Sequence, residues 1–558
     1  MKAIYKISLI AAVVMFFANS CIKEVNPQTS TITEEQALNA PGAYQGFVDA
    51  ITGQLVGEFT YGGASNKYPW DYGYPSFWIM WDVMGQDIVP QDGGSEWYST
   101  WYQCGTGLGP GYAVCQLPWT YYYKWIKNCN VVLSVAGETP SDDQKVGAGI
   151  AHAMRAMFYM DLARMFAEKS YPVDKTAITV PIVDEKTTPT IACNNPRATN
   201  EKIWSFILDD LDKAETLLSG YVRPNKYVPD TTVVYGLKAR AYLETEDWEN
   251  AVTYAKKAQN GYTILTEAQY LSKTDGFNTP NDAWIFGVTY KSSDPNILVN
   301  DADSSWGSQM IPEVSASGCG YAANYVGPKR IDAHLYSTIP ATDFRKKCFI
   351  DPSLDDMTQA DALAALAVYT DDPAGVYKTG INQSESGDLA HIALKFRPKN
   401  GEHVDQYAAF TVAVPLMRVE EMYLIEAEAT GMQAGKEAEG IALLTAFAKT
   451  RDASYTYGTH NEFYNNSATP AFQNECWWQR RVELWGEGFA TKDIKRLNKG
   501  IIRSYAGTNH LDTFQWNSDA PPQWMTLCFV GTEANYNVAL KQNPVPEPFD
   551  GNSPAFVW

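Results

Sequence analysis

The sequence predicts a mainly α-helical protein, with a tetratricopeptide-like scaffold of helical hairpins that carries a large, irregular, loop-rich lobe. Three observations support this fold class. Apolar residues recur at helical spacing along several segments, and residues 231–260 have the pattern of a tetratricopeptide hairpin. Residues 262–415, in contrast, are rich in Gly, Ser, Asp and Asn and show little periodicity. At 558 residues the chain can form one large domain or two interleaved domains.

The helical segments can be placed along the chain. The capping signal Arg197–Glu201 precedes an apolar stripe that begins at Ile203. In the hairpin over 231–260, small residues stand where the helices touch and aromatic residues fill the gaps; they are Ala239, Tyr242, Trp248, Ala251 and Ala258. A second helical pair is predicted at about 416–450. Because one hairpin cannot bury its own apolar face, the pairs should stack on one another.

The N-terminus has the pattern of a lipoprotein signal peptide. Lys2 and Lys6 form a basic start, residues 9–17 are apolar, and small residues lead to Cys21. The apolar run is too short to span a bilayer as a mature helix, which needs about 20 residues. We therefore predict a signal peptide over 1–20, lipidation at Cys21 and a polar tether over 21–33. A plain secretory signal with a chance cysteine is the alternative.

Composition restricts the class of ligand. The chain has 44 Lys and Arg against 64 Asp and Glu, a net charge of −20, so it lacks the basic footprint of a nucleic-acid binder. Aromatic residues make up 13% of the chain and offer large, rigid contact faces. Of the nine cysteines, Cys104 and Cys115 lie close together in a Gly-rich loop and are the predicted disulfide. The alternative is that most cysteines are free, buried and apolar in character.

Several runs of sequence resemble the SusD/RagB-like family of nutrient-binding outer-membrane lipoproteins. Residues 415–429, PLMRVEEMYLIEAEA, are similar to a signature helix of that family, and so are residues 480–489, RRVELWGEGF. Residues 155–164, RAMFYMDLAR, resemble its long N-terminal helix, and Gln542–Pro544 resemble its closing segment. The matches occur in the family's order and cover nearly the whole mature chain.

The resemblance implies a fold, a location and a function. It implies a SusD-like N-terminal helical region with an aromatic loop insertion over 34–261. A C-terminal region over 262–558 would contain the loop-rich lobe and the signature helices. It also implies a lipid-anchored protein, exposed at the surface of the outer membrane, that captures oligosaccharide or polysaccharide. The ligand would pass to a SusC-like TonB-dependent transporter, with no catalysis and no cofactor. The charged signature residues, Arg480, Arg481, Glu483 and Glu487, are expected to be structural.

Glycan contacts should come from aromatic loops. Sugars present apolar faces edged by hydroxyls, which flat rings and planar polar side chains recognise together. Two loop regions have this composition, and for each residue the alternative is that it packs the loop onto the scaffold. The predicted ligand-binding residues are Trp70, Asp71, Tyr72, Trp97, Tyr98 and Trp101 in the first region and Tyr290, Trp306, Tyr321, Asn324 and Tyr325 in the second, with Tyr102, Asn296, Asn300, Asp301 and Asp303 as neighbours.

Two other functions are alternatives to glycan import. A RagB-like lid that binds peptide would need a groove deep enough for an extended chain. A glycoside hydrolase would need a pair of carboxylates, for which Asp82, Asp87 and Asp92 lie nearest the aromatic loops. The six histidines form no HExxH motif and no short metal-ligand cluster, and no GxSxG motif is present. The sequence therefore favours a binding protein without metal or cofactor.

Overall fold

The computed structural model describes residues 42–57, 72–91, 98–104, 106–274, 276–298, 300–382, 387–462, 464, 468–549 and 551–558. Residues 47–558 form one compact unit, and residues 1–46 form a second unit, of which only residues 42–46 are described. The signal peptide, Cys21 and the tether lie outside the described residues. The predicted division of the chain between residues 261 and 262 stays a prediction.

The mainly α-helical fold class is confirmed. In chain order the helices of the first half are α1 (Ala43–Gly53), α2 (Pro75–Val83), α3 (Ser99–Gln103), α4 (Ala113–Ala136), α5 (Lys145–Phe166), α6 (Pro189–Ala192), α7 (Asn200–Leu217), α8 (Thr231–Glu244), α9 (Trp248–Gln259) and α10 (Glu267–Tyr270). Those of the second half are α11 (Pro295–Leu298), α12 (Trp306–Met310), α13 (Ala333–Thr338), α14 (Gln359–Leu366), α15 (Pro373–Asn382), α16 (Gln406–Ala409), α17 (Val419–Gly431), α18 (Glu437–Ala448), α19 (Ala471–Glu483), α20 (Ala490–Arg496) and α21 (Gly531–Tyr536).

The scaffold is a continuous stack of helices. Along it α4 packs on α5, α5 on α7, α7 on α8, α8 on α9, α9 on α17, and α17 on both α18 and α19. The predicted cap is present, because the Thr199 hydroxyl accepts the Lys202 N–H at the start of α7. The hairpin of α8 and α9 turns at Glu246, whose φ is 58°. Its predicted small contact residues, Ala239, Ala251 and Ala258, are fully buried. Stacking thus buries the faces that one hairpin leaves open.

Two short antiparallel sheets tie the loop-rich lobe to this scaffold. Strand β1 (Ile88–Val89) pairs with β3 (Arg330–Ile331), and β2 (Trp284–Thr289) pairs with β4 (Ala413–Arg418). The run 415–418, predicted as the start of a helix, therefore belongs to a strand, and α17 follows it directly. Pro415 opposes Gly287 at a point where the register of the pair is irregular. Proline has no N–H to donate, and a two-stranded sheet tolerates its absence because each strand is an edge strand.

The charged signature residues are buried in ion pairs, in agreement with their predicted structural role. Glu483 contacts Arg345, Arg418 and Arg451 at 3.3, 3.2 and 3.0 Å. These three guanidinium groups hold the pKa of Glu483 far below its usual value, even though burial alone would raise it. The pairs join α19 to β4, to the end of α18 and to the lobe. The partners of the other signature residues are Asp493 for Arg480, Asp87 for Arg481, and Lys395 and Arg418 for Glu487.

The predicted disulfide between Cys104 and Cys115 is wrong. Both residues are free and fully buried. The Cys104 thiol donates to the carbonyl of Trp101 at 3.2 Å, and the Cys115 thiol donates to the carbonyl of Leu108 at 3.3 Å. The two residues are close in sequence, but their side chains bond to the carbonyls of different residues, Trp101 and Leu108. None of the helices in the described ranges is long and apolar enough to cross a membrane.

Candidate functional site

The described residues of the first predicted loop region are part of the core. Tyr72, Tyr98 and Trp101 keep 0%, 1% and 2% of their surface exposed. The Tyr72 and Tyr98 hydroxyls hydrogen-bond to each other, and the Tyr98 and Trp101 rings lie 5.4 Å apart. Tyr102 is buried as well. A ring enclosed in this way has no face for a sugar, so the loop-packing alternative describes these residues. Trp70, Asp71, Trp97 and Asp92 lie outside the described residues.

Two residues of the second predicted region are also buried. Tyr290 donates its hydroxyl to the carbonyl of Tyr72 at 2.8 Å and thereby connects the two loop regions. Trp306 is fully buried and packs edge-on against Phe396, with ring centroids 4.8 Å apart. As ligand platforms these two predictions are not supported, because both rings already face protein on all sides. Asn296 is buried too.

The remaining residues of that region form an exposed aromatic surface. Tyr325 keeps 50% of its surface exposed, and Tyr321 is half-buried beside it, with ring centroids 5.6 Å apart. Tyr407, from α16, is 39% exposed and donates its hydroxyl to the exposed Asp301 carboxylate at 3.0 Å. We call Tyr321, Tyr325, Tyr407 and Asp301 the tyrosine surface. It combines ring faces with a carboxylate, which is the chemistry expected for sugar recognition.

Unusual backbone geometry holds this surface. Asn300, Asp301 and Ala302 have φ angles of 50°, 52° and 62°, a left-handed run that is rare for residues other than glycine. Residues Tyr321–Tyr325 form one turn of π-helix, in which the Val326 N–H donates to the Tyr321 carbonyl at 2.9 Å. Strained turns and π-turns cost free energy and persist only where the surrounding structure stabilises them. They are found most often at functional sites. Here both occur in the same surface.

The supports of the tyrosine surface lie directly beneath it. The Asp303 carboxylate accepts the Gly320 N–H at 2.6 Å, and the Ser308 hydroxyl accepts the Tyr321 N–H at 2.9 Å. Gly320 has a φ of 96°, and a Cβ there would come within 2.9 Å of the Phe410 ring, so only glycine suits this position. The Asn324 side-chain amide donates to the carbonyl of Cys319. Asn324, predicted as a ligand contact, thus uses that amide to fix its own turn.

The surroundings of Tyr325 and Tyr407 keep their hydroxyls neutral. Partial burial and the nearby Asp303 carboxylate raise the pKa of Tyr325 to about 12. The hydrogen bond to Asp301 raises the pKa of Tyr407. Burial raises the pKa of Asp303 to about 6, against the lowering effect of the Gly320 N–H. At neutral pH the surface therefore presents hydroxyl donors next to carboxylate acceptors.

Sequence reasoning missed Tyr407 and its neighbour Gln406. They lie some 80 positions beyond the predicted loop, on a helix of four residues that periodicity cannot detect. The Gln406 amide donates to the Cys319 sulfur at 3.6 Å, and the Tyr325 hydroxyl contacts the same sulfur. The only signal in the sequence is an aromatic residue in a polar segment between a turn and a strand.

The carboxylates considered for hydrolysis have structural partners. Asp82 accepts the N–H groups of Gly488 and Ala490 at 2.9 and 3.1 Å, and burial raises the pKa of Asp82 to about 7. The Asp87 carboxylate accepts hydrogen bonds from two nitrogens of the Arg481 guanidinium. These contacts fit the alternative in which the two carboxylates cap and pair. Within the described residues, no group of three or more His, Cys, Asp or Glu side chains is placed to hold a metal ion.

A cavity of about 790 Å³ opens elsewhere, between the ends of α4, α5 and α7. Its lining includes His152, Glu185 and Lys213, and none of the predicted ligand-binding residues lines it. His152 Nδ1 lies within hydrogen-bonding distance, 2.7 Å, of the buried Asp210 carboxylate. The same carboxylate also forms an ion pair with Arg155. This network joins α5 to α7, and it belongs to the helical stack and not to the tyrosine surface.

Comparison with known proteins agrees with the fold. Residues 98–243 match the family model SusD-like_3, described as "Starch-binding associating with outer membrane". No curated protein sequence matches the chain. A SusD-like carbohydrate binding protein from Bacteroides vulgatus shares 22% identity and a TM-score of 0.67, over 89% of this chain and 97% of its own. A SusD superfamily protein from Bacteroides thetaiotaomicron shares 20% identity and a TM-score of 0.64, over 90% and 99%.

A third similar structure is a laminarin binding SusD-like protein, with 15% identity and a TM-score of 0.57 over 92% of this chain and 100% of its own. The helical stack and the loop-rich lobe form the fold of these SusD-like structures, and residues 98–243 resemble the SusD-like family. The resemblance predicted from the signature runs is thereby confirmed.

Proposed function

We propose that this chain is a surface-exposed, glycan-binding lipoprotein without catalytic activity. It captures oligosaccharide or polysaccharide and delivers it to a SusC-like TonB-dependent transporter. The observation that carries the proposal is the tyrosine surface, where three partly exposed rings lie near the exposed Asp301 carboxylate. The description of the matched family model and the laminarin-binding neighbour support a carbohydrate ligand.

The geometry suits a polymer ligand better than a small enclosed one. Tyr321 and Tyr325 are tilted by 54° to each other, so consecutive sugar units of a curved chain could each stack on one ring. Tyr407 approaches from a different element and offers the third ring. The exposed Asp301 carboxylate, next to the Tyr407 hydroxyl, accepts hydrogen bonds from sugar hydroxyls. An open surface of this kind lets a long chain enter and leave without threading its end.

Affinity electrophoresis against a panel of neutral and acidic polysaccharides tests the proposal. We expect retardation by at least one glycan, and its loss in a Tyr407→Ala variant. Tyr536→Ala is the matched control, since Tyr536 is 75% exposed on α21 and lies outside the tyrosine surface. Unchanged mobility on every glycan would contradict the proposal. Peptides found by mass spectrometry in the purified protein would instead favour the peptide-binding lid, and reducing-sugar release would favour a hydrolase.

The lipid anchor is tested at Cys21. In the proposed protein Cys21 becomes the acylated N-terminal residue, so the mature chain should carry a mass increase of the size of acyl chains. Cys21→Ala should abolish that increase and release the chain from the membrane fraction. A mature N-terminus elsewhere, without acyl groups, would favour the plain secretory signal.

The transporter partner is tested by gentle detergent extraction. We expect a large barrel protein to co-purify with the tagged full-length chain. Recovery of the monomer alone, under conditions that keep other outer-membrane complexes intact, would count against delivery to a transporter. It would leave glycan capture itself to the electrophoresis experiment.

A further inference from the structure

Two buried cysteines from distant parts of the chain meet in the core. Cys115 lies in the first turn of α4, and Cys528 lies in the segment that leads to α21. Both are fully buried. Their thiols are in hydrogen-bonding contact, and the backbone N–H of Cys528 also approaches the Cys115 sulfur. The two residues are separated by most of the chain, so this contact is made by the tertiary fold alone.

Contacts on both sides of Cys115 hold its segment against the residues that follow Cys528. On the N-terminal side of Cys115, the Pro110 carbonyl accepts the Gly531 N–H at 2.9 Å. On its C-terminal side, the Trp119 and Phe529 rings meet with centroids 5.1 Å apart. Trp119 follows Cys115 by one helical turn, and Phe529 follows Cys528 directly. The thiols are therefore held in register and do not meet by the chance rotation of one side chain.

The other hydrogen bonds of the pair are weak. The Cys528 thiol lies 3.6 Å from the Pro544 carbonyl, and the Cys115 thiol lies 3.3 Å from the Leu108 carbonyl. Thiols are poor donors, so these contacts oppose a covalent bond between the sulfurs only slightly. The shared contact lowers the pKa of Cys528 and, with burial, raises that of Cys115.

Cys115 and Cys528 carry free thiols in this structure. We propose that oxidation joins them in a disulfide in the exported protein, which clasps the closing segment of the chain to the start of α4. The inference rests on export, as in the proposed function, because thiols stay reduced in the cytosol. Before the fold encloses the pair, the Cys528 thiolate attacks a protein or glutathione disulfide and releases one donor thiol. Cys115, deprotonated, then attacks the Cys528 sulfur of the mixed disulfide and releases the second. The two cysteines lose two electrons and two protons, and the donor disulfide gains them.

The clasp has a clear structural consequence. The closing segment is held beside the aromatic cluster of Trp119, Phe166 and Phe529 by two side chains. The Gln542 amide donates to the Phe529 carbonyl at 2.8 Å, and the Asn543 amide donates to the Phe166 carbonyl at 2.9 Å. A covalent link at Cys528 holds this segment in place when the cluster opens. A disulfide that closes so long a loop also restricts the unfolded chain strongly. The oxidised protein should therefore unfold at a higher temperature than the reduced protein.

Peptide mapping tests the proposal. The purified full chain is reduced, refolded with oxidised glutathione, alkylated and digested without reductant. We expect one cross-linked pair of peptides that contain Cys115 and Cys528, two hydrogens lighter than the free pair and absent after reduction. Cys528→Ser should abolish the pair and the difference in melting temperature between oxidised and reduced protein. Cys193→Ser, at an exposed cysteine, should change neither.

Three outcomes overturn the inference. They are full alkylation of both residues after oxidative refolding, a cross-link from Cys115 to another cysteine, and free thiols at both positions in protein recovered from cell membranes. Mapping of wild-type protein keeps the test decisive even if Cys528→Ser fails to fold. Glycan retardation is measured on the same oxidised preparation. Its failure with the cross-link intact would count against the proposed function and not against the disulfide.

Discussion

Removal of one ring from the tyrosine surface should weaken glycan binding by a predictable amount. Tyr325 keeps 50% of its surface exposed. For a side chain that can bury roughly 200 Å², this leaves about 100 Å² accessible. A sugar stacked on one face would cover about 60 Å² of it, worth ~1.5 kcal/mol at ~25 cal/mol per Å². Tyr325→Ala should therefore raise Kd about tenfold, as measured by isothermal titration calorimetry with an oligosaccharide that retards the wild-type protein.

The ring and the hydroxyl of Tyr325 can be separated by a second variant. Tyr325→Phe keeps the stacking face and loses only the hydroxyl, so Kd should rise by a factor of about two to five, as expected for one neutral hydrogen bond. Tyr536→Ala should leave Kd unchanged. Equal affinity of Tyr325→Ala and wild type, with both folded by circular dichroism, would refute the reasoning that exposed rings carry the binding energy.

Three further predictions concern charge. Asp301→Asn should improve binding of uronic-acid oligosaccharides relative to neutral ones by a factor of about two to five, because the exposed carboxylate repels acidic sugars; competition binding measures the ratio, and an unchanged ratio would place the acidic sugar elsewhere. Glu483→Ala should lower the free energy of unfolding by about 3–5 kcal/mol, because three buried guanidinium groups lose the carboxylate that they share and keep only their second partners; denaturant titration measures the loss, and a cost under ~1 kcal/mol would show that the ion cluster is dispensable. Burial raises the pKa of Asp82 from 3.8 to about 7, so between these values the folded state holds a proton that the unfolded state has released, and this group makes stability fall as pH rises by at most ~1.4 kcal/mol per pH unit; Asp82→Asn should flatten that slope, and an unaltered pH profile would contradict the assignment.

The buried ion cluster also explains how the scaffold positions the tyrosine surface. Lys395 donates to the Glu487 carboxylate at 2.7 Å, and the next residue, Phe396, packs under Trp306. Gly486 has a φ of 76°, and a Cβ there would approach the Phe396 ring to 2.7 Å. Trp306 begins the helix whose Ser308 hydroxyl accepts the Tyr321 N–H. The signature residues are thus connected to the tyrosine surface through the packing of the core.

The scaffold was predictable because its signals are local. Helical periodicity, the cap at Thr199 and the small residues of α8 and α9 each depend on neighbours within a few positions. Where a tertiary interaction decides the outcome, the prediction fails. The run from Pro415 to Arg418 has the composition of a helix start, but pairing with β2 makes it a strand. Likewise, spacing suggested Cys104 as the partner of Cys115, whereas the fold places the Cys528 thiol in contact with Cys115.

The tyrosine surface was only partly predictable. Composition identified the region of Tyr321 and Tyr325, because aromatic residues among Asn, Asp and Gly are typical of loops that contact ligand. Composition cannot tell which ring faces solvent. Trp306, the largest ring of that region, fills the core under it. Tyr407 was missed because its contribution depends on the contact between α16 and the left-handed turn at Asp301, which no local pattern encodes.

The most direct test of glycan capture at the tyrosine surface is a crystal structure of the full chain with an oligosaccharide that retards it in affinity gels. The account predicts electron density for sugar rings stacked on Tyr325 and Tyr407, with a hydroxyl within hydrogen-bonding distance of the Asp301 carboxylate. Density in the cavity beside His152, with the three tyrosines bare, would contradict it.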